Sequence, residues 1–261
     1  MKVVFVLAST QHGPMIFSRL DYRMVAPNRG IGLGFQLLEK GAYDPDEVEN
    51  VKRVLRLRRQ HHGNGVVALD CGANIGVHTV EWAKCMEGWG EVIAVEAQER
   101  IYYALAGNIA LNNCFNARAL HAAVGDTIGE LSIPVPNYHT PSSFGSLELK
   151  ARDKTEFIGQ PIDYAAGPKQ AVRVLTIDSL ALQRLDLLKL DVEGMELEAL
   201  AGANETIKRC TPAMLIEVIK SDKAEIAKRL EAWGYEAFPM GLNVLAVHNT
   251  DPLRAHIKKA S

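Results

Sequence analysis

Apolar positions in this chain follow two rhythms that take turns. Short unbroken apolar runs occur at 66–69, 92–95, 119–124, 185–190 and 214–218, and each suits a strand buried on both faces. Most are followed by a stretch with three-and-four spacing, at 77–86, 101–111, 196–207 and 223–233, which reads as a helix. Strands alternating with helices predict a mainly parallel sheet with helices on both faces. The pattern ends differently: 236–238 and 243–247 are separated only by 239–242, which is hairpin spacing. The expected fold is α/β, a doubly wound, mainly parallel, seven-stranded sheet with an antiparallel edge hairpin.

The flanks break this rhythm. Residues 1–44 carry no clean period, and the apolar run at 3–8 reads as a strand or an ordered arm. Gly30, Gly32 and Gly34 alternate within 28–34, which predicts a flexible loop or distorted hairpin, a connector in one reading and a lid in the other. Asp44-Pro45-Asp46 marks a helix start, with a cap candidate, a proline at the first helical position and acids in the first turn. The helix continues over 47–60 with Val51, Val54, Leu55 and Leu57 on its apolar face and a basic, solvated opposite face. Between 126 and 176, short strands at 131–135 and 172–175 bracket a long polar stretch, read as an insertion over one end of the sheet. The expected organisation is an arm and amphipathic helix at 1–60, packing on or capping a core at 61–261 that carries an insertion at about 127–172.

Composition narrows the classes. The 261 residues allow a single decorated α/β unit, and 48% apolar with 23% charged residues is ordinary for a globular protein. A net charge of −2 supplies no field for a polyanion, so nucleic acid is not expected as a partner. Cys71, Cys85, Cys114 and Cys210 lack paired spacing and predict reduced thiols. No run reaches membrane-spanning length, and the first is short for a secretory signal, so a cytoplasmic protein is expected. No oligomeric state follows from the chain.

Candidate chemistry gathers where the strands end. The first run leads into Asp70-Cys71-Gly72-Ala73-Asn74-Ile75-Gly76. A strand, a tight turn and a helix start produce this pattern, and Gly72 and Gly76 let backbone approach a nucleotide-like ligand at the first βα turn. A carboxylate at the strand tip repels phosphate and attracts an ammonium or a ribose hydroxyl. The expected ligand is therefore S-adenosyl-L-methionine rather than a dinucleotide. Asp70 would hold its ammonium directly or through water, and Asn74 would add a donor and an acceptor. Glu96, twenty residues after Gly76 at the next strand tip, suits the two ribose hydroxyls, with Ala97 beside it. The small residues Ala122, Ala123, Val124 and Gly125 leave room for an adenine ring, and Asp126 would accept from its amine. A plain Gly-Asp turn explains that set nearly as well. In Leu187–Glu196 a buried strand opens into an acid-rich turn, with Asp191 and Glu193 pointing into the cleft near the methyl donor and Glu196 and Glu198 on the helix surface. Lys189 inside that strand needs a carboxylate partner, for which Glu217 is the candidate, in a pair that is structural or catalytic.

Together these sets resemble the class I S-adenosylmethionine-dependent methyltransferases, which have a Rossmann-like fold. More narrowly they resemble the FkbM family, whose members mostly methylate hydroxyl groups of sugars and polyketide-type products. The specific matches are at 69–76 and 188–196, supported by 174–180 and 143–149, and the resemblance covers about 60 to 220. Cys71 stands where the family often has a small aliphatic residue, and Glu96-Ala97-Gln98 where it commonly has acid-x-Pro. The resemblance implies S-adenosyl-L-methionine as cofactor and a small hydroxyl-bearing molecule as acceptor, and it implies no metal.

An aliphatic hydroxyl acceptor needs help losing its proton. The candidates for that base are Asp191, Glu193 and His139, in that order. Two rivals stand beside this reading. One is an NAD(P)-dependent oxidoreductase, which would prefer Gly-x-Gly-x-x-Gly and no acid at the phosphate position. The other is a non-catalytic S-adenosylmethionine-binding protein.

Overall fold

The computed structural model describes residues 3–26 and 29–257, so readings that touch Met1, Lys2 and Asn28 lie outside it. An N-terminal segment comes first. Strands β1 (Phe5–Thr10) and β2 (Gly13–Ser18) pair antiparallel, as do β3 (Arg23–Ala26) and β4 (Arg29–Ile31), and helices α1 (Leu33–Lys40) and α2 (Pro45–His62) follow. The expected alternation then begins: β5 (Val66–Cys71), α3 (Val77–Cys85), β6 (Gly90–Glu96), α4 (Glu99–Leu111) and β7 (Ala117–His121). Three short-sheet strands come next, β8 (Ala123–Val124), β9 (Gly129–Pro134) and β10 (Lys169–Leu175). The chain closes with β11 (Leu187–Leu190), α5 (Glu196–Ala201), α6 (Asn204–Cys210), β12 (Ala213–Glu217), α7 (Lys223–Ala232), β13 (Tyr235–Met240) and β14 (Asn243–His248).

The large sheet has seven strands in the order β13-β14-β12-β11-β5-β6-β7. Its five strands from β12 to β7 run parallel, and β14 lies antiparallel to both β12 and β13. The expected edge hairpin is thus present. From β5 the chain moves outward to β7, then returns to β11 beside β5 and moves the other way. Strand order reverses between β5 and β11, and the crevice beyond their carboxyl ends is where such sheets bind ligands.

Strand β5 is buried along its whole length. Val66 and Ala68 join an apolar cluster with α2 and α3, while Val67, Leu69 and Cys71 join a second cluster with α5, α6, α7 and the small sheet. A period of two sends neighbouring side chains to opposite faces, so a strand covered on both sides must be apolar throughout. The N-terminal segment belongs to the first cluster through Met15, Phe17, Leu33 and Leu37. Buried Asn108 stitches it there: its amide donates to the Ile16 and Ile75 carbonyls at 2.9 and 2.8 Å and its oxygen accepts from Ile16 N–H at 2.6 Å.

Two elements depart from expectation. The strand read over 119–124 is two strands. Ala122 N–H still reaches the Glu96 carbonyl at 3.1 Å, but β8 then leaves the large sheet and pairs in parallel with β10. Small apolar residues suit both sheets, so periodicity alone does not show the switch. The helix read over 196–207 breaks at Gly202, where a Cβ would stand 2.0 Å from the Gly125 carbonyl oxygen. Its second half gains a remote cap, as Asp178 accepts the free Glu205 and Thr206 N–H groups at 3.1 and 2.7 Å. Other readings hold. From Arg29 the glycine-rich stretch forms β4, which pairs antiparallel with β3 with a register shift between Met24 and Ala26, in keeping with the distorted hairpin read there, and then the start of α1. Pro45 opens α2 as expected, although the Asp44 side chain makes no capping bond.

Candidate active site

A cleft of about 880 Å³ opens over the carboxyl ends of β5, β6, β11 and β12. Its floor is the turn after β5. Gly72 has φ +75, and a Cβ there would stand 1.7 Å from the Asp191 carbonyl oxygen, so only glycine lets the turns after β5 and β11 meet. Asn74 follows in the left-handed region at φ 51. Its N–H donates to Glu96 Oε2 at 2.9 Å, and Gln98 N–H donates to Glu96 Oε1 at 2.8 Å. Burial nevertheless pushes the Glu96 carboxyl up to about 7, with those backbone donors only partly offsetting it.

Of the residues expected at the cofactor, Gly72, Ala73, Asn74, Glu96, Ala97, Ala123, Val124 and Asp191 line this cleft. Gly76 caps α3 behind the turn, and Gly125 packs on Gly202. Asp126 is exposed beyond β8 and does not line the cleft. Asp70 is fully buried beneath the floor. Its Oδ2 accepts from the Thr79 hydroxyl at 2.7 Å, and its Oδ1 faces Lys189 Nζ at 3.4 Å.

That contact replaces the expected Lys189–Glu217 pair. In the parallel register Lys189 lies opposite Asp70, so the two side chains stand side by side on one face. Asp191, two residues on, shares the face and reaches Lys189 at 3.2 Å. Burial opposes the charge of Lys189, but Asp191 and Asp70 outweigh it and hold the ammonium protonated. Glu217 is one step past the last β11–β12 pair, level with Asp191 instead.

The β11–β12 corner is crowded with acid. Asp191, Glu193 and Glu217 each bring a carboxylate oxygen within 4.8 Å of the others. Burial and then Asp191 push Glu193 well above the ordinary range despite its ion pair with Lys220. Burial and then Asp191 likewise push Glu217 up to about 7. Glu196 was expected on a helix surface but is fully buried, because it staples the turn: its Oε1 accepts from Val192 and Gly194 N–H at 3.0 and 3.2 Å, and its Oε2 from the Ser221 hydroxyl.

The roof comes from the insertion, whose 143–149 stretch supported the resemblance, and from the N-terminal segment, which carried no such signal. The insertion contributes Ser143, Gly145, Ser146 and Leu147, held by Gln98, whose amide donates to the Phe144 carbonyl at 2.9 Å and whose oxygen accepts from Tyr138 at 3.2 Å. The N-terminal segment contributes Leu33, Gln36, Tyr43 and Glu47. Asp21 joins the two regions, accepting from Phe144 N–H at 2.9 Å and Gly34 N–H at 3.4 Å. Glu47 meets His78 Nε2 at 3.3 Å and accepts from Asn243 at 2.7 Å. His139 stays outside: it is exposed, does not line the cleft, and its N–H bonds Asn137 Oδ1 at 3.0 Å. Sequence reasoning missed Glu47, His78, Gln98 and Lys220 as cleft residues. Glu217 was named only as a partner for Lys189, although it ends an apolar strand as Glu96 does.

The sequence model of the methyltransferase FkbM domain matches residues 70–237. Methyltransferase sdnD of Sordaria araneosa is 24% identical over 208 residues, 66% of this chain and 78% of that protein. Among solved structures, the methyltransferase FkbM from Methylobacillus flagellatus KT aligns at TM-score 0.46 and 17% identity over 70% of this chain. The chain spans 43% of that protein's length. The precorrin-6y C5,15-methyltransferase from Geobacter metallireducens GS-15 aligns at TM-score 0.45 and 12% identity, over 80% of this chain and 90% of the other.

Proposed function

Because the chain belongs to the FkbM methyltransferase family through the match at 70–237, we propose that it transfers the methyl group of S-adenosyl-L-methionine to a hydroxyl group of a sugar or polyketide-type small molecule. The observation that carries this reading is the charge of the cleft. Its carboxylates are Asp44, Asp46, Glu47, Glu96, Glu156, Asp191, Glu193 and Glu217, and its lysines are Lys189 and Lys220, both already ion-paired. Even leaving out Glu96, Glu193 and Glu217, whose carboxyls are pushed upward, five carboxylates face two paired lysines, so a pyrophosphate would meet net repulsion there, whereas a sulfonium and an ammonium would meet attraction.

The residues present fit such a nucleoside. The cradle after β5 has no room for a Cβ at Gly72, Glu96 keeps unused lone pairs on both oxygens for a ribose diol, and Ala122, Ala123 and Val124 form a flat apolar wall. When bound, the cofactor supplies an electrophilic methyl group on positively charged sulfur. The chain's own contribution is alignment, which holds the acceptor oxygen in line with that carbon. Asp191 and Glu193 at the cleft wall, fixed by Lys189 and Lys220, would set the field around the reacting atoms. Asp70 acts from below by holding Lys189.

Titration calorimetry with S-adenosylhomocysteine tests the reading. The wild-type protein should bind it and give no heat with reduced nicotinamide dinucleotides. Glu96→Gln should weaken binding about 10- to 100-fold, the worth of hydrogen bonds to a charged acceptor. Heat with the dinucleotide and none with the thioether nucleoside would overturn the proposal.

A further inference from the structure

Glu217 stands apart from the other carboxylates of the cleft. Asp191 is held by Lys189, Glu193 by Lys220, and Glu96 by two backbone N–H groups. Glu47 accepts from Asn243 and meets His78. Of the cleft-lining carboxylates, Glu217 is the one with a buried oxygen, Oε2, that has no hydrogen-bond partner among the described residues. The register explains the vacancy. Asn243, its neighbour on β14, faces it across the ladder but gives its amide to Glu47. On the other side, β11 ends at Leu190 and the chain beyond offers Asp191, an acceptor with nothing to donate.

We propose that Glu217 is the proton acceptor of methyl transfer, a catalytic residue that takes the proton of the acceptor hydroxyl; this rests on the donor reading above. In that step the O–H bond breaks and its proton passes to the Glu217 carboxylate. The hydroxyl oxygen's pair forms the new bond to the methyl carbon. The carbon–sulfur bond breaks, its electron pair stays on sulfur, and the positive charge there is lost. Glu217 then returns the proton to water.

The surroundings suit that task. Asp191 and Glu193 face Glu217 from the turn after β11, Glu196 from α5, Lys189 from within β11, and Lys220 from the turn after β12. Burial and the Asp191 charge place the carboxyl near 7, while the lysines keep it from rising further. A base accepts a proton most effectively when its pKa lies near the working pH. Asp191 and Glu193 are less suited, because each would have to release its lysine to receive a proton.

The test needs no acceptor. Sinefungin carries an ammonium on carbon where the donor has its methyl-bearing sulfur, so it presents a cation to the base, whereas S-adenosylhomocysteine presents none. By calorimetry the wild-type protein should prefer sinefungin, and the preference should fade as pH falls below about 7. Glu217→Gln should remove about tenfold of that preference, weakening sinefungin far more than S-adenosylhomocysteine. In the ligand-free protein, infrared difference spectroscopy should show carboxyl absorbance titrating near 7, to which Glu96 also contributes, and Glu217→Gln should remove one carboxyl's share of it while Glu96→Gln removes the other. A preference that survives the substitution, or a titration near 7 that the substitution leaves undiminished, overturns the assignment. So does S-adenosylhomocysteine binding that requires magnesium and is lost in Glu217→Gln, which would give the three carboxylates to a cation. A wild-type protein that binds neither nucleoside refutes the donor reading itself.

Discussion

The two corners of the cleft use the same side chains in opposite ways. At the β5–β6 corner, Glu96 is gripped by two backbone N–H groups and Asp70 by the Thr79 hydroxyl. At the β11–β12 corner, Asp191, Glu193 and Glu217 meet one another and two lysines, with no backbone donor on their carboxylates among the hydrogen bonds of the described residues. Backbone donors are fixed in direction and cannot retreat, so the first corner is a rigid receptor. A balance of like charges and flexible ammonium groups responds to each proton gained or lost, which suits the second corner to the proton transfer proposed for it. A carboxylate's role here follows from what satisfies it, not from its identity.

The strongest way to break this division is at the seam. Gly72→Ala drives a Cβ into the Asp191 carbonyl at a left-handed backbone position. It should cost about 4 kcal/mol in urea unfolding and abolish S-adenosylhomocysteine binding. Retained binding would show that the corners do not depend on that contact. Next comes Lys189→Met, which strips the cation from Asp70 and Asp191. Breaking a buried pair typically costs 3–5 kcal/mol, and with Asp191 half-exposed about 3 kcal/mol is expected at pH 7. An unchanged unfolding midpoint would mean that the lysine acts only on the ligand.

The smallest effect sharpens the contrast through pH. The folded-state pKa of Glu96, about 7, lies above its ordinary value of 4.5, so the native protein retains a proton that the unfolded chain gives up. Its contribution to stability is therefore full below about 4.5 and is lost as pH rises to 7. Urea midpoints at pH 5 and pH 7 should show a decline that Glu96→Gln reduces by about 1–2 kcal/mol. Identical declines in the two proteins would mean that the backbone donors hold the empty corner ionised.

The sequence made the sheet legible because burial on two faces forces apolar runs, and the seven strands and edge hairpin stand where those runs lie. Strand tips were legible for the same reason: an acid that ends such a run, as Glu96 and Asp191 do, is conspicuous. Pairing register was not legible. Lys189 found Asp70 rather than Glu217 because residues far apart in sequence lie opposite one another on parallel strands. The split of 119–124 was hidden because Ala122 and Ala123 satisfy two different sheets. Glu47 and His78 were invisible because their meeting depends on how α2 packs on α3, which no local pattern encodes. His139 looked plausible only because a histidine in an insertion carries no address.

Asp21 bonds the start of α1 and the Phe144 backbone with one carboxylate. Anyone grafting the roof loop of a relative onto this scaffold inherits a coupling as well as a loop. A transplanted loop that lacks a backbone donor at Phe144 would leave a buried anion facing nothing, and a replaced first helix would do the same from the other side. Acceptor preference should therefore travel between relatives as a matched pair of segments, and libraries that vary one segment alone will search mostly misfolded entrances.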